Sequence, residues 1–402
     1  MKKLIVTCLS FAITFLNILN CHAIEVADID IHGFISQGYM QTDNNNYLAG
    51  NTEKGSFEFN EFGINFGKEL TEKLRLGLQL FARDLGDIGN GEVTLDWAYG
   101  DYRWKDWLGF RAGKIKLPYG FYNETRDIDA LRTNILLPQS VYNDLQRDTL
   151  VAIQGAGIYG EIPVGVFGDL SYQLQIGTFD VDSDSGIAKV TEALGRGVFE
   201  VEKFNIDTAY VGSLQWSTPL DGLRVGGSYL TLSLDSDIRT NYPFGPLPAG
   251  SSLVADFNDI TNYVASAEYT WNDLVLAAEY TRQELTFGID NVLPEDTTKS
   301  EGYYLSASYR FTDWLQVGTY YSVYYANIED KDGDTLEAQG LPDHGAWQKD
   351  WALTTRFDLN EYWTIKLEGH MLDGTAQVVS IDNPKGTDED WFMYAAKITF
   401  SF

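Results

Sequence analysis

The stretch that most restricts this chain is Trp391–Phe402, because it alternates strictly at period two. Phe402, Phe400, Ile398, Ala396, Tyr394 and Phe392 share one parity, and Ser401, Thr399, Lys397, Ala395, Met393 and Trp391 share the other. Alternation of this kind makes a strand with one apolar and one mostly polar face. Nothing that follows is expected to cover the apolar face, so its natural solvent is lipid. An open sheet edge cannot persist in lipid, and the sheet must then close on itself as a barrel. The competing reading of this stretch alone is the last strand of a soluble sandwich, and the rest of the chain decides between them.

From Ile29 onward one unit keeps returning: an alternating strand, a very short turn and a second alternating strand. The short turns fall at Lys68–Glu72, Trp104–Asp106, Ile162–Gly168, Thr218–Asp221, Asn272–Asp273, Thr312–Asp313 and Leu359–Glu361. Longer stretches rich in Asp, Asn and Gly separate the hairpins: Gln41–Gly55, Gly86–Gly91, Leu117–Thr149, Asp180–Lys203, Ser236–Phe257, Gly288–Lys299, Glu329–Trp347 and Gly374–Asp390. Seven hairpins, Ile29–Met40 and the terminal strand together give sixteen strands. The expected fold is all-β: a transmembrane antiparallel β-barrel of 16 strands with short periplasmic turns and long extracellular loops. Leu74, Leu76, Leu78 and Leu80 oppose Arg75, Gly77, Gln79 and Arg83, and aromatics such as Trp271, Trp314 and Trp363 gather near strand ends as an interfacial girdle would. Parity fails at Phe57–Phe62 and near Arg111–Lys116, where bulges are expected.

Composition fits this architecture. Past residue 23 there is no run of 18 apolar residues, and a mean hydropathy of −0.21 is what a barrel gives when only alternate residues meet lipid. Residues 1–23 read as a secretory signal peptide, with Lys2 and Lys3, the apolar run Leu4–Leu19 and small residues Cys21 and Ala23 at the cleavage positions. Residues 24–402 then form a single barrel domain. Both cysteines, Cys8 and Cys21, leave with the signal, so the exported chain has neither disulfides nor thiolate chemistry. Loss of two lysines takes the net charge from −29 to −31, which excludes nucleic acid as a partner. The expected location is the outer membrane of a Gram-negative bacterium, with outer-membrane lipid and lipopolysaccharide as surroundings.

The polar parity carries Arg75, Arg83, Arg310, Arg356, Lys366 and Lys397, which is costly at membrane depth unless a wet lumen receives them. Sixteen strands leave room for an aqueous channel, and these cations form a basic pore wall or, equally, pair with lumen acids. Leu117–Thr149 is the exceptional loop: Ile128, Leu131, Ile135, Leu136 and Leu137 give it an adhesive face, so it is expected to fold inward and narrow the bore. There Arg126, Arg132 and Arg147 stand against Glu124, Asp127, Asp129, Asp144 and Asp148, a constriction with both signs of charge that orients polar solutes.

Gly113-Lys114-x-Lys116-x-Pro118-x-Gly120, then Leu137-Pro138 and Arg147-Asp148, resembles the phosphate-selective and related substrate-specific porins of Gram-negative bacteria. The resemblance implies sixteen strands, a homotrimer and a third loop folded into the pore. This loop carries more acids than bases, a departure from a phosphate channel. Asp180, Asp182 and Asp184 have calcium-loop spacing, but Gly186 falls one place late and the bland reading is a solvated loop. The histidines past the signal are His32, His344 and His370, with no nucleophile motif beside them, so neither enzymatic activity nor a cofactor is expected. The expected function is passive diffusion of small hydrophilic solutes, leaning to anions such as carboxylates or phosphate. The alternative is a surface receptor or adhesion barrel whose acidic extracellular loops do the work.

Overall fold

A computed structural model describes residues 29–402 apart from 49, 246 and 291; the expected signal peptide lies outside the described residues. Seventeen strands form one antiparallel sheet: β1 (Asp30–Thr42), β2 (Phe59–Thr71), β3 (Leu74–Leu85), β4 (Thr94–Lys105), β5 (Leu108–Lys116), β6 (Ala152–Pro163), β7 (Asp169–Thr178), β8 (Phe199–Ile206), β9 (Ala209–Ser217), β10 (Leu223–Thr240), β11 (Ser252–Trp271), β12 (Leu274–Ile289), β13 (Leu293–Thr312), β14 (Leu315–Tyr325), β15 (Trp347–Asp358), β16 (Trp363–Gly374) and β17 (Asp390–Ser401). β1 pairs with both β2 and β17, Phe34 opposite Gly63 and opposite Ser401, so the sheet closes and no edge remains. β8 pairs with the far end of β10 (Ile206 opposite Leu234) and β9 with its near end (Trp216 opposite Val225), so β8 and β9 are two halves of one stave. The closed barrel therefore has sixteen staves, as the hairpin rhythm predicts.

The short turns lie where the sequence places them. Two of the expected loops are largely strand: β10 runs to Thr240 and β11 starts at Ser252, while β12 runs to Ile289 and β13 starts at Leu293. β10 to β13 are 18, 20, 16 and 20 residues long, longer than a membrane crossing needs, so they stand out beyond it as a free-standing sheet. Their sequence alternates there too, but with the faces exchanged. On β10, Val225 and Tyr229 point outward with Arg224 and Ser228 inward; further on Thr231, Asp235 and Arg239 point outward while Leu230, Leu232, Leu234 and Ile238 are buried inside. The exchange occurs at a band of outward tyrosines, Tyr229, Tyr263, Tyr280 and Tyr303, which marks the upper interface. A second aromatic band near the short turns includes Trp314 stacked on Phe357 and Trp363 against Phe400.

Between the two bands the outer face is apolar and open: Leu305 is 63% exposed and Leu353 60%, which only hydrocarbon satisfies. Among the described residues no helix is long and apolar enough to cross a membrane. Neither expected bulge causes a register shift. Phe57 and Glu58 simply precede β2, and Gly113 absorbs the second irregularity at φ +130°. The bulge that matters is on β4, where Gln79 opposes Trp97 but Leu80 opposes Leu95, leaving Asp96 as an extra residue.

Candidate pore constriction

The loop 117–151 crosses the lumen, and its path follows from the inward-facing residues of the wall. It leaves β5 beside Lys116, whose Nζ donates to Glu124 O (2.9 Å) and to Asp127 Oδ2 (2.8 Å). Gly120 then takes φ +59°, where a Cβ would lie 2.3 Å from the Tyr142 hydroxyl, and its N–H reaches Ser228 Oγ at 3.0 Å. The next amide, Phe121, donates to Glu279 Oε1 (2.8 Å), and the hydroxyls of Tyr142, Tyr304 and Ser266 converge on the same carboxylate. On the opposite wall Lys366 Nζ donates to Asp129 O (2.8 Å) and Asn134 O (3.3 Å), and Arg356 Nη1 to Ala130 O (2.7 Å) and Arg132 O (3.0 Å). Glu368 accepts the amides of Ile135 (2.8 Å) and Leu136 (2.9 Å), while His370 is held between Glu368 (3.1 Å) and Asp350 (3.0 Å). Gly302 lets Ser140 O come within 2.2 Å of where a Cβ would be, and Ser140 Oγ meets Ser322 Oγ at 2.8 Å.

Apolar contacts lock this path. Ile135 and Leu136 pack with Met40, Leu372, Trp391 and Met393, so the "polar" parity of the last strand carries two large apolar residues because the loop covers them. Leu117, Tyr119, Leu137 and Val141 join Leu230, Leu232 and Phe257 of the projecting sheet. The helix Gly186–Leu194, capped by Ser185, lies on the loop from the long-loop side, with Ala188 in one cluster and Val190 against the other.

Between the loop and the β2–β3 wall lies a small pocket of about 20 Å³, room for roughly one water. Arg126, Arg132, Arg147, Asp127 and Asp144 line it from the loop, and Glu61, Arg83 and Asp84 from the wall. Arg147 Nη2 contacts Asp127 Oδ1 (2.6 Å) and Asp96 Oδ1 (2.8 Å), and its guanidinium lies 4.3 Å over the Phe81 ring. Arg126 Nη2 contacts Asp144 Oδ1 at 2.9 Å. Burial alone would raise the Asp127 carboxyl, but Arg147 and Lys116 outweigh it and hold the group well below the usual carboxylate range. Asp144 is likewise lowered, against burial, by Arg126, Arg83 and Arg132. Burial lowers Arg126 despite Asp144. Around this pocket two buried guanidinium nitrogens lack a hydrogen-bond partner, each leaning on an acid: Arg83 Nη2, with Asp148 at 3.5 Å, and Arg132 Nε, with Asp129 at 3.6 Å.

The structure thus brings Arg126, Arg132, Arg147, Asp127 and Asp144 of the predicted set to one small pocket. Glu124 turns away to Gln173 (3.1 Å), where burial raises its carboxyl against the pull of Arg111. Asp129 sits under Lys366 (3.0 Å), Lys397 (3.4 Å) and Thr399 (2.8 Å) and serves the loop's attachment. The expected basic wall is dispersed. Arg356, Lys366 and Lys397 hold the loop, Arg310 pairs with Asp358 (3.0 Å) near the short turns, Arg75 is exposed by the β2–β3 turn, and of the six only Arg83 lines the small pocket. Sequence reasoning missed Asp96, hidden by the bulge, and Asp350; Asp96 would emerge from the rule that an inward carboxylate opposite a loop cation is an anchor, whereas Asp350 acts one step back by holding His370 on the neighbouring strand. Asp180, Asp182 and Asp184 rim a cleft beside β4 and β5, and partial burial with mutual repulsion raises Asp182. Among the described residues no group of three or more His, Cys, Asp or Glu is placed to hold a metal ion.

No protein-family model matches the sequence, and no curated protein does. The fold does match solved structures. OmpT, an outer membrane protein of Vibrio cholerae, superposes with a TM-score of 0.57 at 9% identity, covering 93% of this chain and 97% of that one. OmpF of Salmonella typhi, solved with daunomycin, gives 0.56 at 14% (93% and 97%), and the anion-selective porin of Comamonas acidovorans gives 0.54 at 13% (93% and 99%). What the chain shares with these structures is the fold, a closed sixteen-stranded antiparallel barrel.

Proposed function

We propose that this chain is an outer-membrane porin: a passive channel for small hydrophilic solutes, filtered at the loop 117–151 and leaning to anions. Sixteen staves with apolar residues outside and charged residues inside support a water-filled bore, and the similarity to porin structures supports the same reading. The observation that carries it is the loop held across the bore, where four arginines meet four acids and the outer guanidinium nitrogens of Arg132 make no hydrogen bond. Spare donors with fixed positive charge favour anions such as carboxylates or phosphate over cations. A homotrimer, export on residues 1–23 and lodging among lipopolysaccharide belong to the same proposal. The test is conductance in planar bilayers under a KCl gradient. A steady open level with a reversal potential on the anion side is expected, moving toward the cation side in Arg132→Ala. A barrel with no open level would refute the channel and favour a surface receptor.

A further inference from the structure

On the short-turn side of the loop the lumen holds a cavity of about 390 Å³, within the range of small-molecule sites. Its lining is unusual for a water channel. Phe121, Tyr122, Leu131, Pro138, Tyr304 and Tyr320 present apolar surface, and Leu131 is 66% exposed inside what should be a polar bore. Among these stand Arg126, Arg132 and Arg224 against one acid, Glu268. Arg224 is already paired with Glu268 (2.9 Å) and lies 4.3 Å over the Phe121 ring, and Arg126 is committed to Asp144. Arg132 donates no side-chain hydrogen bond: its Nε is buried beside Asp129 at 3.6 Å, which leaves its outer guanidinium nitrogens as the spare donors. Arg126 and Arg132 also line the small pocket on the other side of the loop, so these two side chains stand between the cavity and that pocket.

We propose that this cavity binds small monocarboxylates with an aromatic or branched apolar body, the carboxylate at Arg132 and the body against Leu131 and Phe121. The proposal rests on the channel reading for its transport meaning and narrows the solute class. An apolar wall that water wets poorly gains by covering Leu131, and a guanidinium with an unused N–H gains a charge-assisted bond. Acetate satisfies only the second condition and benzyl alcohol only the first. Inorganic phosphate also lacks the apolar body.

Two measurements on the full-length exported protein test it: tyrosine and tryptophan fluorescence titration in detergent micelles, and block of KCl current in planar bilayers. Benzoate is expected to bind at least about tenfold more tightly than acetate, phosphate or benzyl alcohol. Leu131→Ser, a change at an exposed side chain, should erase the advantage over acetate, and Arg132→Gln the advantage over benzyl alcohol. Equal affinities for benzoate and acetate, or a benzoate preference untouched by Leu131→Ser, would overturn the proposal. Steady conductance with no benzoate preference sinks this inference and leaves the channel standing. Benzoate binding with the expected variant pattern in a barrel that never conducts supports the site and sinks the channel.

Discussion

Strands β10–β13 contain two regions with the same period and opposite chemistry. Below the tyrosine band, Leu276, Ala278 and Leu305 face outward and Glu279, Ser306 and Ser308 inward; above it, Thr286, Glu284 and Thr297 face outward and Leu285, Phe287 and Ile289 inward. β12 and β13 keep one register from Leu274 opposite Tyr309 to Phe287 opposite Asp296, so there the backbone geometry is continuous while the solvent changes, and β11 makes the same transition through a bulge between Asn258 and Thr261. The lower region is a membrane barrel with a wet inside. The upper one resembles a soluble protein wrapped round its own core, and that core is what the inward loop leans on. Alternation therefore reports a strand, and which parity is apolar reports the solvent at that height.

The largest expected effect probes the upper core. Leu232→Ala should lower stability by about 2–5 kcal/mol, because a fully enclosed leucine leaves a cavity, whereas Ser308→Ala in the lumen of the lower region should stay within about 1 kcal/mol. Equilibrium unfolding and refolding in denaturant with detergent or lipid present measures both; equal costs would erase the distinction between the regions.

Next comes the outer face. Leu276→Arg places a guanidinium among hydrocarbon chains and should cost about 2–4 kcal/mol, while Thr286→Arg, ten residues along the same strand and the same face, should cost less than about 1 kcal/mol. The same unfolding experiment in lipid bilayers reads the difference. A similar penalty at both would place Thr286 in the membrane as well.

The smallest effect concerns pH. Asp127 and Asp144 titrate below the ordinary carboxylate range when folded, so the stability they lend to the loop is fully present above about pH 4 and is lost only as pH falls through their lowered folded values. Asp182 on the outer rim moves the other way and takes up its proton at higher pH. Limited proteolysis within 124–147 should be unchanged from pH 7 to pH 5 and rise only under stronger acid. Exposure of the loop near pH 6 would contradict this ordering.

Much of the barrel was legible: the seven short turns, the sixteen staves and the inward course of the long loop all follow from alternation and from one unusually apolar loop. The projecting sheet was not, because Asp235, Asp237 and Arg239 on its wet outer face look like loop residues when the apolar parity is expected to stay outside. Arg126, Arg132, Arg147 and Asp127 could be grouped from the loop alone. Lys366, Lys397 and Arg356 could not be assigned, since a lumen cation reads the same whether it faces solute or grips a loop carbonyl across the bore. Asp96 was hidden by a bulge that shifts parity by one.

The most direct test uses the absence of cysteine after residue 23. Single cysteines at Leu305 and Thr297, both outward on β13, would be introduced into the protein reconstituted in lipid vesicles and exposed to a membrane-impermeant maleimide. The account expects rapid labelling at Thr297→Cys, and at Leu305→Cys almost none until the bilayer is dissolved. Equal labelling of the two in intact vesicles would contradict it, because the tyrosine band would then not divide lipid from water.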